Sequence, residues 1–340
     1  MKKVFLLFIL IIWCAAASAQ EKAGIREFSD YQKMRQYFGS LYQQKKFNEA
    51  AELLEMHLDR FPENVEANTY NLAITYAQLK KYKEGIKSLQ YGHEQGVWYN
   101  KYAFMQEFWA PFREYDAFDK ILKRNEELRQ EALKSSAPDL LVVTPEGFDP
   151  GKKYPLFIAL HGGSSNIENF KSAWISEKMK SEFIIAYVQS SLLVSMNSYS
   201  WTENMEVSKK EITNAYNKVR TEYSIDETQI VIGGFSAGGV AAMEITFCDL
   251  IPVSGFIALC PAKPQSFTDE NLIKAKDRGV RGVIITSEMD PRLPVQKEMV
   301  EVLKNTGFQY QFIVTPNIGH WFPEDMDIKI DISIEHIRNK

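Results

Sequence analysis

Two periodicities divide the chain. From about Tyr31 to Gly96, apolar residues recur at helical spacing, as in Leu53, Leu54, His57, Leu58 and Phe61. A charged helix is expected from Lys120 to Lys134, with Ile121, Leu122 and Leu128 on its apolar side. Ser135-Ser136-Ala137-Pro138 then breaks it. From Asp139 onward the pattern becomes short apolar, β-branched runs separated by helix-like stretches. The runs are Leu140–Val143, Pro155–Leu160, Phe183–Val188, Gln229–Ile232, Gly255–Leu259, Val283–Ile285 and Gln311–Val314. Helices are expected over Glu168–Met179, Val207–Glu222 and from Val240. Alternation of this kind predicts an α/β domain, a mostly parallel sheet with helices on both faces, over residues 138–340. An all-α region precedes it over residues 20–137.

The helical region repeats itself. Phe47-Asn48-Glu49-Ala50 corresponds to Tyr82-Lys83-Glu84-Gly85 at a spacing of 35 residues, and Leu54 corresponds to Leu89. That spacing resembles the roughly 34 residues of a tetratricopeptide repeat. Two helix pairs are too few to bury a continuous core alone. The densely aromatic segment from Trp98 to Phe118 is therefore expected to pack a third helical unit onto the domain that follows. His57 and His93 are read as core or surface histidines, since no second ligand is spaced to share a metal with them.

Residues 1–19 are a separate object. Lys2 and Lys3, an apolar run from Val4 to Trp13 and Ala17-Ser18-Ala19 predict a secretory leader cleaved after Ala19. The run is too short for a stable membrane span, so the expected location is periplasmic or extracellular. The formal net charge of −4 supplies no basic field for nucleic acid. Once the leader and Cys14 are removed, Cys248 and Cys260 remain in apolar surroundings, where free thiols are expected and no zinc spacing appears.

Chemistry concentrates after the strands. Gly234-Phe235-Ser236-Ala237-Gly238 satisfies G-x-S-x-G between a strand and a helix, which makes Ser236 the candidate nucleophile. Active residues of open α/β sheets gather outside the carboxyl ends of the strands, and three further residues sit there. His161-Gly162-Gly163 follows Leu160 and offers the Gly163 N–H, beside that of Ala237, to an oxyanion. Asp290 follows Val283–Ile285, with Glu288 as its rival for the acid position. His320 follows Gln311–Val314 as the candidate base. His161 is read as a structural residue of its turn. Trp201 and Trp321 are read as candidate pocket walls.

On these residues the C-terminal half resembles an α/β-hydrolase of the esterase and phospholipase/carboxylesterase type. The carriers are Leu160-His161-Gly162-Gly163, Gly234 to Gly238, Asp290 and Gly319-His320. Ser287 stands where a glycine is common in that family. The resemblance implies hydrolysis of small-molecule or polymer-linked esters by a Ser236-His320-Asp290 triad, with no cofactor and no metal. Two other readings stay open: a prolyl oligopeptidase-like peptidase, which lacks here the usual β-repeat domain, and a repeat-based binding module with the hydrolase half as scaffold. In the last, the helical repeats would bind a protein partner.

Overall fold

The computed structural model describes residues 27–100 and 102–339, so the expected leader lies outside the described residues. The chain divides into two compact units that meet between Glu131 and Ala132.

The first unit begins with helices α1 (Tyr31–Gln43), α2 (Phe47–His57), α3 (Val65–Gln78) and α4 (Tyr82–Glu94). The Asp30 carboxylate caps α1 by accepting the Lys33 N–H at 2.8 Å. Corresponding residues turn the chain within each pair: Lys45 and Lys80 both adopt left-handed backbone, at φ 58° and 57°. The aromatic segment closes this unit's own core. Tyr99, Phe104, Trp109, Phe112 and Phe118 are buried with Val65, Ala73, Ile86 and Leu89 of α3 and α4. In place of a further helix pair, the segment forms a 3-10 helix, Glu107–Glu114, followed by the long α5 (Asp116–Ser135). Asn125 on α5 clamps the Tyr99 backbone, accepting its N–H at 2.7 Å and donating to its carbonyl at 3.0 Å. His57 is fully buried and bonded to the Leu53 carbonyl and the Phe28 N–H, a structural use of both ring nitrogens.

In the second unit the strands are β1 (Asp139–Val143), β2 (Tyr154–Leu160), β3 (Ile184–Gln189), β4 (Leu193–Ser195), β5 (Ser198–Tyr199), β6 (Ile225–Phe235), β7 (Gly255–Leu259), β8 (Arg281–Ser287) and β9 (Gln309–Thr315). Seven of them form one sheet in the order β1-β3-β2-β6-β7-β8-β9, while β4 and β5 pair separately. Only the β1–β3 pairing of the large sheet is antiparallel. Residues alternate between two cores: Leu156, Ile158 and Leu160 of β2 enter one, and Phe157 and Ala159 the other. That alternation is what a sheet covered on both faces requires.

The helices between the strands are α6 (Ile167–Lys171), α7 (Glu177–Glu182), α8 (Met205–Glu222), α9 (Ala237–Phe247), α10 (Asp269–Asp277) and α11 (Leu293–Thr306), and α12 (Met326–Arg338) follows β9. The single helix expected over Glu168–Met179 is thus two. Ser176 breaks the run: its backbone is extended and its hydroxyl caps α7 by accepting the Met179 N–H. Among the described residues, no helix is long and apolar enough to cross a membrane.

Candidate active site

Strand β6 ends at Phe235 and α9 begins at Ala237, which leaves Ser236 alone at the corner with φ 53° and ψ −110°. A non-glycine residue there is strained, and the packing around it holds it in place. The Ser236 N–H donates to the Leu259 carbonyl at 2.8 Å. A side chain at Gly238 would lie 2.2 Å from the Leu160 carbonyl oxygen and 2.4 Å from that of His161. Glycine at this position therefore lets α9 sit directly on the end of β2.

Two loops bring the partners in. The Thr286 hydroxyl bonds the Gln296 carboxamide, whose nitrogen donates to the Pro261 carbonyl at 2.9 Å, tying the ends of β7 and β8 together. The loops after β8 and β9 are joined by the Met289 N–H donating to the Ile318 carbonyl at 3.0 Å. Asp290, His320 and Ser236 then form one hydrogen-bonded line. Asp290 Oδ2 is 2.9 Å from His320 Nδ1, and His320 Nε2 is 3.0 Å from Ser236 Oγ. An ionised carboxylate only accepts, so Nδ1 carries the ring proton and Nε2 presents its lone pair to the serine. The ring of His320 rests on Phe235, with centroids 5.0 Å apart.

Burial works to raise the Asp290 pKa. Hydrogen bonds from Cys260, the Arg292 backbone N–H and His320 outweigh it and hold the carboxyl below its ordinary value. The Arg292 N–H reaches Asp290 Oδ1 at 2.8 Å. Glu288, the rival acid, instead accepts the Asn317 N–H at 3.3 Å on the exposed side of the loop.

Cys260, Asp290 and His320 lie close enough together to suggest a metal site. Their chemistry does not fit one. Asp290 and His320 Nδ1 are bonded to each other at 2.9 Å, which commits two of the three donors, and burial, followed by the adjacent carboxylate, pushes the Cys260 thiol up to about 12. Cys248 and Cys260 are both free thiols.

Gly163 is exposed beside the start of α9, where a side chain on it would sit 3.5 Å from the Ala237 methyl. The Ala237 N–H belongs to the first turn of α9 and has no intrahelical acceptor. Behind this turn His161 is fully buried, its Nδ1–H donating to the Gly162 carbonyl at 2.7 Å and its Nε2 accepting from the Ser190 N–H at 3.3 Å. Burial, partly opposed by the Gly162 carbonyl, lowers its pKa to about 4.

The two tryptophans part company. Trp201 is fully buried, and its indole N–H donates to the His161 carbonyl at 2.9 Å. It braces the His-Gly-Gly turn from inside, which corrects the expectation of a pocket wall. Trp321, by contrast, is 63% exposed and stands edge-on to Phe235 and Phe322. A residue that no motif reading singled out completes the site. Arg292 donates from Nη1 to Ser236 Oγ at 2.9 Å. Its sequence signal is slight: it lies two positions after Asp290, in the same turn.

No family model and no curated protein matches the chain. Among solved structures it is similar to an uncharacterized protein from Bacillus cereus ATCC 10987. The TM-score is 0.51 at 23% identity, over 91% of this chain and 99% of that one, a likeness of fold. Also similar are esterase PE8 (TM-score 0.47, 13% identity, 59% of this chain, 99% of that) and a mutant feruloyl esterase module from Clostridium thermocellum complexed with sinapinate (TM-score 0.45, 18% identity, 58% of this chain, 83% of that).

Proposed function

We propose that the chain is a secreted α/β-hydrolase that cleaves carboxylic esters through Ser236, His320 and Asp290. The line of hydrogen bonds from the Asp290 carboxylate through His320 to the strained Ser236 carries this reading. Ser236 Oγ attacks the ester carbonyl while its proton passes to His320 Nε2. The carbon–oxygen bond to the leaving alcohol then breaks, and His320 returns the proton to that alcohol, leaving an acyl-enzyme. Water deprotonated by His320 attacks the acyl carbon, and Ser236 recovers its proton as the acid departs. Asp290 keeps the proton on Nδ1 and stabilises the imidazolium formed in each half-reaction.

The backbone N–H groups of Ala237 and Gly163 hold the tetrahedral oxyanion, aided by the N-terminal dipole of α9. Trp321 supplies an apolar wall beside the base. Secretion rests on the leader-like residues 1–19, and the helical pairs serve as tetratricopeptide-like repeats for a protein partner.

The test is covalent labelling of the mature protein with a fluorophosphonate probe, beside turnover of short-chain p-nitrophenyl esters. Wild type should label and turn over ester, and Ser236→Ala should do neither. An unlabelled wild type would refute the reading. Labelling with turnover of peptide amides but no ester would replace it with a serine peptidase.

A further inference from the structure

The guanidinium of Arg292 reaches the reacting oxygen without belonging to the triad. Nη1 donates to Ser236 Oγ at 2.9 Å and to the Cys260 carbonyl at 3.3 Å, and it lies 3.2 Å from His320 Nε2. Arg292 is half-buried, and among the described residues its side chain has no carboxylate ion-pair partner. A permanent charge is thus held at the nucleophile by neutral groups alone.

Two consequences follow for acyl transfer. Because Asp290 holds the Nδ1 proton, Nε2 has one lone pair, and the Ser236 hydroxyl and the Arg292 Nη1–H both approach it. The reaction also builds positive charge on His320, which a neighbouring guanidinium opposes. An anion that draws the guanidinium onto itself relieves both effects. A carboxylate suits it best, since the planar guanidinium donates two parallel N–H bonds to a carboxylate.

We propose that Arg292 is a specificity-determining residue that selects esters carrying a free carboxylate within reach of the scissile carbonyl. The proposal rests on the serine-hydrolase reading of the site. The carboxylate belongs either to the acyl part, as in a half-ester of a dicarboxylic acid, or to the alcohol part.

Two substrate pairs distinguish these sources. Mono-p-nitrophenyl succinate against its methyl ester probes the acyl side, and 4-acetoxybenzoate against its methyl ester probes the alcohol side. In one pair, wild type should favour the charged member by about 10- to 100-fold in kcat/KM, the range of a hydrogen-bonded charge contact. Arg292→Gln should collapse that ratio, and Arg292→Lys should keep part of it because charge survives without the fork. A merely structural role would lower both members alike and leave the ratio intact, which overturns the proposal. Equal turnover of charged and neutral esters by wild type in both pairs does the same. Fluorophosphonate labelling of the same samples separates the two levels: labelled enzyme without charge preference refutes the role of Arg292 alone, and unlabelled enzyme refutes the hydrolase reading beneath it.

Discussion

Asp290 and Glu288 compete in sequence for one role, and their surroundings separate them. Asp290 is buried and hydrogen-bonded to the His320 ring, whereas the exposed Glu288 carboxylate accepts the Asn317 N–H. Asp290→Asn should lower kcat on a p-nitrophenyl ester by about 10,000-fold, the loss seen when a triad acid can no longer hold the base in its working tautomer. Glu288→Gln should stay within about twofold, as surface changes do. Comparable losses in both variants would defeat the assignment. His161 makes a second prediction through pH. Its folded pKa of about 4 lies below the ordinary histidine value of 6.5, so the unfolded chain binds the proton first as pH falls. The stability from neutral His161 is therefore complete above pH 6.5, declines below it, and is gone once pH passes about 4. Urea midpoints at neutral pH and near pH 4.5 should fall more steeply for wild type than for His161→Gln. Parallel declines would show that His161 titrates normally.

The strand-to-helix corner depends on an element-level fit. Gly238→Ala would press a methyl against two backbone carbonyls at the end of β2, neither of which is a flexible side-chain tip. The helix must shift, at about 1–3 kcal/mol of stability, and the nucleophile shifts with it. Thermal melts and ester turnover should both fall. Gly39→Ala is the contrasting case: it has open space in α1 and should stabilise by about 0.5–1 kcal/mol. An unaffected Gly238→Ala enzyme would remove the argument for close approach. The apolar runs around β2, β3, β6, β7 and β8 were readable because strands buried on both faces need unbroken hydrophobic character. The β4–β5 hairpin was not, since Leu193–Ser195 and Ser198–Tyr199 are short, half-buried and partly polar. The same logic explains the site. Ser236, Asp290 and His320 follow readable strand ends, whereas Arg292 gains its position from side-chain reach, which no residue spacing encodes.

Across the molecule, apolar burial is organised as separate cores. Among the described residues, the clusters around β2 and β6 contain none before Leu140, and the clusters around α2 and α3 contain none after Leu122. Sequence periodicity revealed the change of architecture, but it did not show that the aromatic segment belongs to the helical core. Aromatic composition says that rings are buried without saying against what. Trp109 is the measure of that core: it is fully buried and touches the rings of Tyr70, Phe104, Phe108, Phe112 and Phe118. Trp109→Ala should destabilise the helical unit by about 3–5 kcal/mol, the usual result of emptying a buried tryptophan site. Because each unit carries its own core, denaturant unfolding followed by far-ultraviolet circular dichroism should resolve two transitions. The earlier shift in Trp109→Ala should appear in one of them only. Fluorophosphonate labelling of Ser236, read across the same denaturant series, should follow the other transition unchanged. If labelling is lost together with the helical signal, the two cores fold as one cooperative body and the catalytic half depends on the aromatic segment after all.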